Sequence, residues 1–195
     1  MRRRGYIVPP LSRQKILSKS NQCREALNLG DRKYIPIIPL LEIMHCHDIS
    51  NTEICDDADV AYRGEAFYDP AEKKIIIPDS VYCAACSNQG RARFTVAHEL
   101  GHFFLGHTVA FGRNDYCDDN EWRPFIDSEW QADNFAGFFL AAPHLINMHS
   151  TTNQVSIEFG LSLQAAEIAI KNAKKPGKVP GLMGTCGTGS VLNNT

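Results

Sequence analysis

The first part of the chain places apolar and polar residues at the spacing of a helix. Ser12 is a residue type that favours the N-cap position, and Gly30 ends the pattern. Between them, one small-to-apolar stripe recurs every three or four residues: Ile16, Ser20, Cys23 and Leu27. The stripe predicts a first helix with one face toward the core. Pro39 then starts a second, short helix over residues 40–45.

The next part of the chain has strand-like runs. Residues 73–78, Lys-Lys-Ile-Ile-Ile-Pro, contain three β-branched isoleucines and end with proline. This run predicts the clearest strand. Residues 60–63 and 65–68 are shorter candidates, and Asp-Pro-Ala-Glu at 69–72 is typical of a turn. Together these runs predict a small twisted sheet that contains a hairpin.

Two longer helices are predicted downstream of the sheet. The first covers about residues 89–105 and is closed by Gly106. The second begins at Asp127 or Ser128 and stops before Pro143. With the sheet, these helices predict an α+β domain.

A pair of short helices is predicted near the end of the sequence, over residues 154–159 and 163–173. The connecting Phe-Gly-Leu-Ser is similar to the turn of a helix-turn-helix unit. No basic recognition face follows it, so we expect a packing hairpin rather than a DNA-binding element. The composition then changes to Lys, Pro, Gly, Ser, Thr and Asn, which predicts a flexible tail over residues 174–195. We therefore expect a single domain over residues 1–173.

Composition narrows the class of protein. The 195 residues are 44% hydrophobic and 22% charged, which is ordinary for a globular domain. The net charge of −2 argues against a general nucleic-acid-binding surface. The arginines at 2–4 precede no apolar segment of a signal peptide, and no run approaches the roughly 20 apolar residues of a membrane span. We expect a cytoplasmic protein that binds neither membranes nor nucleic acid directly.

The segment with the most chemical content is His98-Glu99-Leu-Gly-His102, a His-Glu-x-x-His pattern within the first long helix. Residues four apart lie on one face of a helix, so His98 and His102 can bind one Zn²⁺ by nitrogen. Glu99 can reach a water molecule bound to the same metal, and the metal lowers the pKa of that water toward about 7. The apolar flanks predict a buried helix, where these polar groups need partners, and a metal supplies them.

A third ligand is predicted in the second long helix, where Glu129 and Asp133 are four residues apart. Glu129 can complete the protein ligands and leave a fourth position for water. Asp133, one turn on, can accept the N–H of a ligand histidine and fix its tautomer. A third histidine ligand would have to stand at Thr108 instead, and we expect helical geometry to turn His107 away from the metal-binding face.

Two segments carry a family resemblance: residues 93–102 and 129–143, Arg-Phe-Thr-Val-Ala-His-Glu-Leu-Gly-His and Glu-Trp-Gln-Ala-Asp-Asn-Phe-Ala-Gly-Phe-Phe-Leu-Ala-Ala-Pro. The order of the two motifs is similar to that in gluzincins. The chain resembles the ImmA/IrrE family of metallopeptidases, with weaker matches at 8–12 and 159–162. The family often has Glu or Lys where Gln131 stands, a position that we expect to face solvent.

The resemblance implies a zincin-like domain with a small twisted sheet, two metal-binding helices and a C-terminal helical part. It implies one Zn²⁺ per chain, with His98, His102 and Glu129 as ligands and Glu99 as catalytic base. It further implies a zinc-dependent endopeptidase whose partner and substrate is a helix-turn-helix repressor of a mobile element or stress response.

Several other residues are weaker candidates. The seven cysteines are odd in number and scattered, which favours reduced thiols. Cys83-x-x-Cys86 and the His-Cys-His run at 45–47 allow a second, structural zinc site, although a lone C-x-x-C is a weak signal. By residue type alone, the candidates for stabilising an oxyanion are Tyr82, Tyr116, His144 and His149.

An acidic loop and two other function classes stay open. Residues 115–121 carry Asp115, Asp118, Asp119 and Glu121, which would steer a basic repressor toward the cleft or form a solvated loop without a role. One alternative function is a non-proteolytic, zinc-containing regulator that binds a protein partner or DNA. Another is an antitoxin or sensor whose cysteines report redox state. Glu99 favours the enzyme, because a structural zinc site needs no base.

Overall fold

The computed structural model describes residues 5–58, 66–108 and 123–174. Within these residues the fold is mixed α+β, with seven α-helices and three strands in the order α1 (Arg13–Ala26), α2 (Ile37–Cys46), β1 (Asn51–Cys55), β2 (Phe67–Asp69), β3 (Lys74–Pro78), α3 (Asp79–Cys86), α4 (Gly90–Leu105), α5 (Ser128–Leu140), α6 (Thr152–Phe159) and α7 (Leu163–Ala173). The predicted strand at 60–63, the acidic loop at 115–121, Tyr116 and the tail from 175 onward lie outside the described residues.

The first helix begins where its cap predicts. The Ser12 side chain accepts a hydrogen bond from the Lys15 backbone N–H, and Ile16 and Ser20 are buried. The second helix begins at Ile37, earlier than predicted, because the Pro36 carbonyl already accepts a hydrogen bond from the Leu40 N–H at 2.9 Å.

The sheet has the strand order β1-β3-β2. Strands β2 and β3 are antiparallel and form the predicted hairpin, in which Lys73 adopts a left-handed conformation (φ 50°). Strand β1 pairs in parallel with β3, from Asn51 opposite Lys74 to Cys55 opposite Pro78. The central strand is the apolar one, since Ile75 and Ile77 are fully buried.

Two elements were not predicted. Strand β1, Asn-Thr-Glu-Ile-Cys, is largely exposed and has no apolar alternation to indicate a strand. Helix α3 follows Pro78 directly, and Ala85 is its one buried residue, so it carries little helical periodicity. Strand β1 depends on its pairing with β3, and helix α3 on its packing against α4, more than on their own sequence patterns.

Helices α4 and α5 pack closely side by side. A Cβ added at Gly101 would lie 3.1 Å from the Ala132 carbonyl oxygen and 3.2 Å from its Cα, so a glycine permits this approach. Beyond Gly101, Phe104 of α4 stacks on Phe135 with ring centroids 5.7 Å apart, and Phe135 stacks on Phe139 at 5.5 Å. The contact places the first turn of α5 beside the middle of α4.

A buried arginine anchors the N-terminal half of α4. Arg93 is 1% exposed and donates hydrogen bonds to the carbonyls of Ile35 at 2.7 Å and Gly160 at 2.9 Å, and to the Tyr34 hydroxyl at 2.6 Å. Gly160, in a left-handed conformation (φ 65°), ends α6 as predicted and begins the turn to α7. The helical hairpin therefore packs against α4.

None of the helices in the described part of the chain combines the length and the apolar character needed to cross a membrane.

Candidate metal centre

The structure brings His98, His102 and Glu129 together across two helices. His98 and His102 lie one turn apart on α4, with their Nε2 atoms 3.1 Å from each other. Glu129, in the first turn of α5, places one carboxylate oxygen 3.3 Å from Nε2 of His98 and the other 3.4 Å from Nε2 of His102. One ligand atom from each of the three side chains thus belongs to a compact triangle, in which all separations are within 4.8 Å.

This triangle has the dimensions of a metal site. Ligand atoms at about 2.0–2.1 Å from a tetrahedral zinc ion are about 3.3–3.4 Å apart. Two imidazole nitrogens and a carboxylate are also a donor set that zinc accepts. Among residues 5–58, 66–108 and 123–174, this is the one group of three or more His, Cys, Asp or Glu residues that could hold a metal ion. Cys83 and Cys86 are exposed on α3 and gather no such group within the described residues.

Asp133 lies one turn beyond Glu129 and contacts His98 from the other side of the ring. Its Oδ1 is 2.9 Å from Nδ1 of His98. A neutral imidazole that donates its Nδ1–H to a carboxylate has its lone pair on Nε2, which is the atom of His98 that faces Glu129. The geometry therefore suits the role that the sequence predicts for Asp133.

The electrostatic surroundings differ between the two histidines. Burial lowers the pKa of His98, but hydrogen bonds with Asp133 and Glu129 and the charge of Glu99 outweigh it and raise that pKa to about 10. Burial and the neighbouring His98 and His107 hold the pKa of His102 well below its usual value. The site therefore favours one positive charge at His98, which a proton or a metal cation can supply.

His107 does not point away from the site, and the expectation that helical geometry turns it away is wrong. The helix ends at Leu105, and Gly106 in a left-handed conformation (φ 71°) redirects the chain. His107 then returns toward α4, is 6% exposed, and places its Nδ1 3.0 Å from Nδ1 of His102. It contacts the back of His102 rather than the triangle of ligand atoms.

Gln131 does not face solvent either. It is 1% exposed, and its Oε1 lies 3.1 Å from Nε2 of His107. Its Nε2 donates to the carbonyls of Pro9 at 2.9 Å and Phe125 at 2.8 Å. The expectation failed because these partners lie in other segments, one of them 122 residues away, so that the periodicity of α5 alone does not indicate them.

An N-terminal segment, residues 5–11, supports the start of α5. The backbone N–H of Gly5 donates to the Asp127 carboxylate at 3.0 Å, and Ser128 exchanges hydrogen bonds with the backbone of Tyr6. A Cβ at Gly5 would lie 2.7 Å from Cγ of Glu129. The segment thus presses directly against the stem of the carboxylate.

Glu99 follows His98 on α4 and is 8% exposed, so its carboxylate is held in a largely dry position. The candidates for an oxyanion partner are less well placed. Tyr82 donates its hydroxyl to Glu42 at 2.6 Å, a bond that raises the pKa of Tyr82 to about 12. His144 and His149 are exposed and follow the C-terminal end of α5, whereas Glu129 is in its first turn.

Two histidines and a glutamate that converge beside a buried glutamate form the kind of centre found in metal-dependent peptidases. The sequence matches the IrrE N-terminal-like domain family, Peptidase_M78, over residues 60–171, more than half of the chain. The chain belongs to this family of ImmA/IrrE metallopeptidases, and its His98/His102/Glu129 group could hold the metal ion. No curated protein and no solved structure showed significant similarity to it.

Proposed function

We propose that the protein is a zinc-dependent endopeptidase of zincin-like architecture with one Zn²⁺ per chain. His98, His102 and Glu129 would hold the ion. The observation that carries this proposal is the approach of their ligand atoms: the two histidine Nε2 atoms lie 3.1 Å apart, and the two carboxylate oxygens of Glu129 lie 3.3 Å and 3.4 Å from one of them each. Three protein ligands leave one tetrahedral position for water, as in catalytic rather than structural zinc sites.

Glu99 is the proposed catalytic base. Zinc at this site would polarise the scissile carbonyl and lower the pKa of a water molecule to about 7. Glu99 accepts a proton from the attacking water and donates it to the leaving amine. Burial limits the access of bulk water to the Glu99 carboxylate. Asp133, which contacts Nδ1 of His98, holds the ring of that proposed ligand in place.

The proposed substrate is a helix-turn-helix transcriptional repressor of a mobile element or stress response, cleaved in the cytoplasm. Support for this class comes from the resemblance to the ImmA/IrrE family. The net charge of −2 is compatible with a partner that presents a basic, DNA-binding surface.

The test uses the Glu99→Gln variant. It removes the base without removing a ligand, so it should fold and bind one equivalent of zinc while losing about 10²–10⁴-fold in cleavage rate. Because it does not consume its substrate, it also serves to capture the repressor from the native host, and the wild-type protein is then tested for cleavage of the captured partner.

Glu167→Gln is the matched control, because Glu167 is an exposed residue of α7 that pairs with Lys171. It should cleave at the wild-type rate. Wild-type activity in Glu99→Gln would exclude Glu99 as base. Less than half an equivalent of zinc in the wild type, measured by elemental analysis, would exclude the metal centre itself.

A further inference from the structure

His107 and Gln131 form a buried polar pair behind the metal centre that the proposed mechanism does not use. His107 contacts His102 on one side, Nδ1 to Nδ1 at 3.0 Å, and Gln131 on the other, Nε2 to Oε1 at 3.1 Å. Both residues are nearly excluded from solvent, at 6% and 1% exposure. Buried polar atoms need hydrogen-bond partners. Which atom donates and which accepts between Gln131, His107 and His102 therefore determines where each ring carries its hydrogen.

The Gln131 amide sets that direction. Its NH₂ group has two hydrogens, and two backbone carbonyls, those of Pro9 and Phe125, receive them at 2.9 and 2.8 Å. A carbonyl oxygen only accepts, so the amide cannot be turned the other way without losing both bonds. Its Oε1 therefore faces His107 as an acceptor, and Nε2 of His107 must carry the hydrogen.

A neutral imidazole has one N–H and one lone pair. With the hydrogen on Nε2, Nδ1 of His107 is an acceptor, and Nδ1 of His102 must donate to it. The lone pair of His102 then lies on Nε2, the atom 3.4 Å from Glu129. The opposite order would put a hydrogen on that atom, where it would exclude a metal ion.

We propose that Gln131 and His107 are positioning residues that fix His102 in the tautomer required for metal binding. The chain Pro9/Phe125–Gln131–His107–His102 does for His102 what Asp133 does for His98. The inference rests on the proposed role of His102 as a ligand. This chain of hydrogen bonds differs from the Asp133 contact because it ends at two backbone carbonyls, whose positions are set by the fold.

The first test needs no mutation. In metal-free wild-type protein, ¹⁵N NMR of the imidazoles reports which ring nitrogen carries the hydrogen. We expect Nδ1–H for His102 and Nε2–H for His107. A hydrogen on Nε2 of neutral His102, or on Nδ1 of His107, would overturn the proposal. The result does not depend on whether zinc binds, so it is separate from the proposed function.

The second test measures zinc affinity by competition with a chromophoric chelator. Gln131→Met and His107→Leu should weaken binding by about 10–100-fold, as removal of an outer partner of a ligand typically does. His107→Gln should restore most of the affinity, because its amide oxygen can accept from His102 while its NH₂ donates to Gln131. The matched control is Gln164→Met, which changes an exposed residue on α7.

A purely structural role gives a different result. It would lower the stability of Gln131→Met and His107→Leu but leave the zinc affinity of the folded protein and the His102 tautomer unchanged, and this outcome would overturn the proposal. If these variants do not fold, the tautomers of the wild-type protein and the zinc affinity of His107→Gln still test the proposal. If wild-type protein shows the expected tautomers but binds no zinc, the proposed function fails while the hydrogen-bond order stands.

Discussion

The contact between α4 and α5 gives a prediction in which two glycine-to-alanine changes act in opposite directions. Gly101 and Gly137 both lie inside helices, one in α4 and one in α5. Alanine is favoured over glycine in a helix interior by about 0.8–1.0 kcal/mol. The two positions differ in space: a Cβ at Gly137 would meet nothing within 4 Å, whereas one at Gly101 would lie 3.1 Å from the Ala132 carbonyl oxygen.

The magnitudes follow from this difference. Gly137→Ala should raise the free energy of unfolding by about 0.5–1 kcal/mol. Gly101→Ala gains the same helix propensity, but the two atoms nearest to its Cβ are backbone atoms of Ala132, and overpacking against them costs about 1–3 kcal/mol. The net effect should lie between no change and a loss of about 2 kcal/mol. Relief requires α5 to move by a few tenths of an ångström, which carries Glu129 away from His98 and His102.

Distances between a metal ion and its ligands lie within about 0.2 Å of their usual values, so a displaced ligand binds less well. Gly101→Ala should therefore bind zinc more weakly than the wild type, and Gly137→Ala equally well. Urea unfolding of the metal-free variants gives the stability, and chelator competition gives the affinity. If Gly101→Ala were as stabilising as Gly137→Ala and bound zinc as tightly as the wild type, the close approach of the helices would not position Glu129.

Two further predictions concern single side chains. Asp133→Asn, measured by chelator competition, should weaken zinc binding by about 10–100-fold, because it removes the charge that orients His98; unchanged affinity would show that the contact has no such role. Arg93→Met should lower the free energy of unfolding by about 2–4 kcal/mol, since it leaves buried carbonyls without donors. Arg91→Met, at an exposed position of α4, should change it by less than about 0.5 kcal/mol, and equal losses in the two variants would contradict the anchoring role.

Local signals predicted those parts of the fold that depend on local chemistry. Gly106 and Gly160 ended α4 and α6 at the predicted residues, because the left-handed conformation after a helix favours glycine. The sequence predicted that His98, His102 and Glu129 would come together. The geometry of one helix places His98 beside His102, and a single packing contact between two helices brings Glu129 to them. The hairpin of β2 and β3 followed from turn residues and a β-branched run.

The parts that were missed depend on distant contacts. Strand β1 has few apolar residues, and its pairing with β3 is not visible in its own sequence. The same reason applies to Gln131, a polar residue whose burial is possible only because Pro9, Phe125 and His107 satisfy it. His107 was misplaced because helical geometry was extended past Gly106, where the helix ends.

The contacts of the N-terminal segment also constrain the order in which the protein folds. Gly5 pairs with Asp127, and Pro9 with Gln131, each across 122 residues. Closing a loop of this length costs more conformational entropy than forming a local helix or the hairpin. These two pairs should therefore form late in folding. On the ribosome, residues 5–11 emerge early, but their partners are synthesised more than a hundred residues later. A nascent chain therefore cannot hold a completed metal centre until α5, which carries Glu129, has emerged, and the first segment can support the start of α5 only after that.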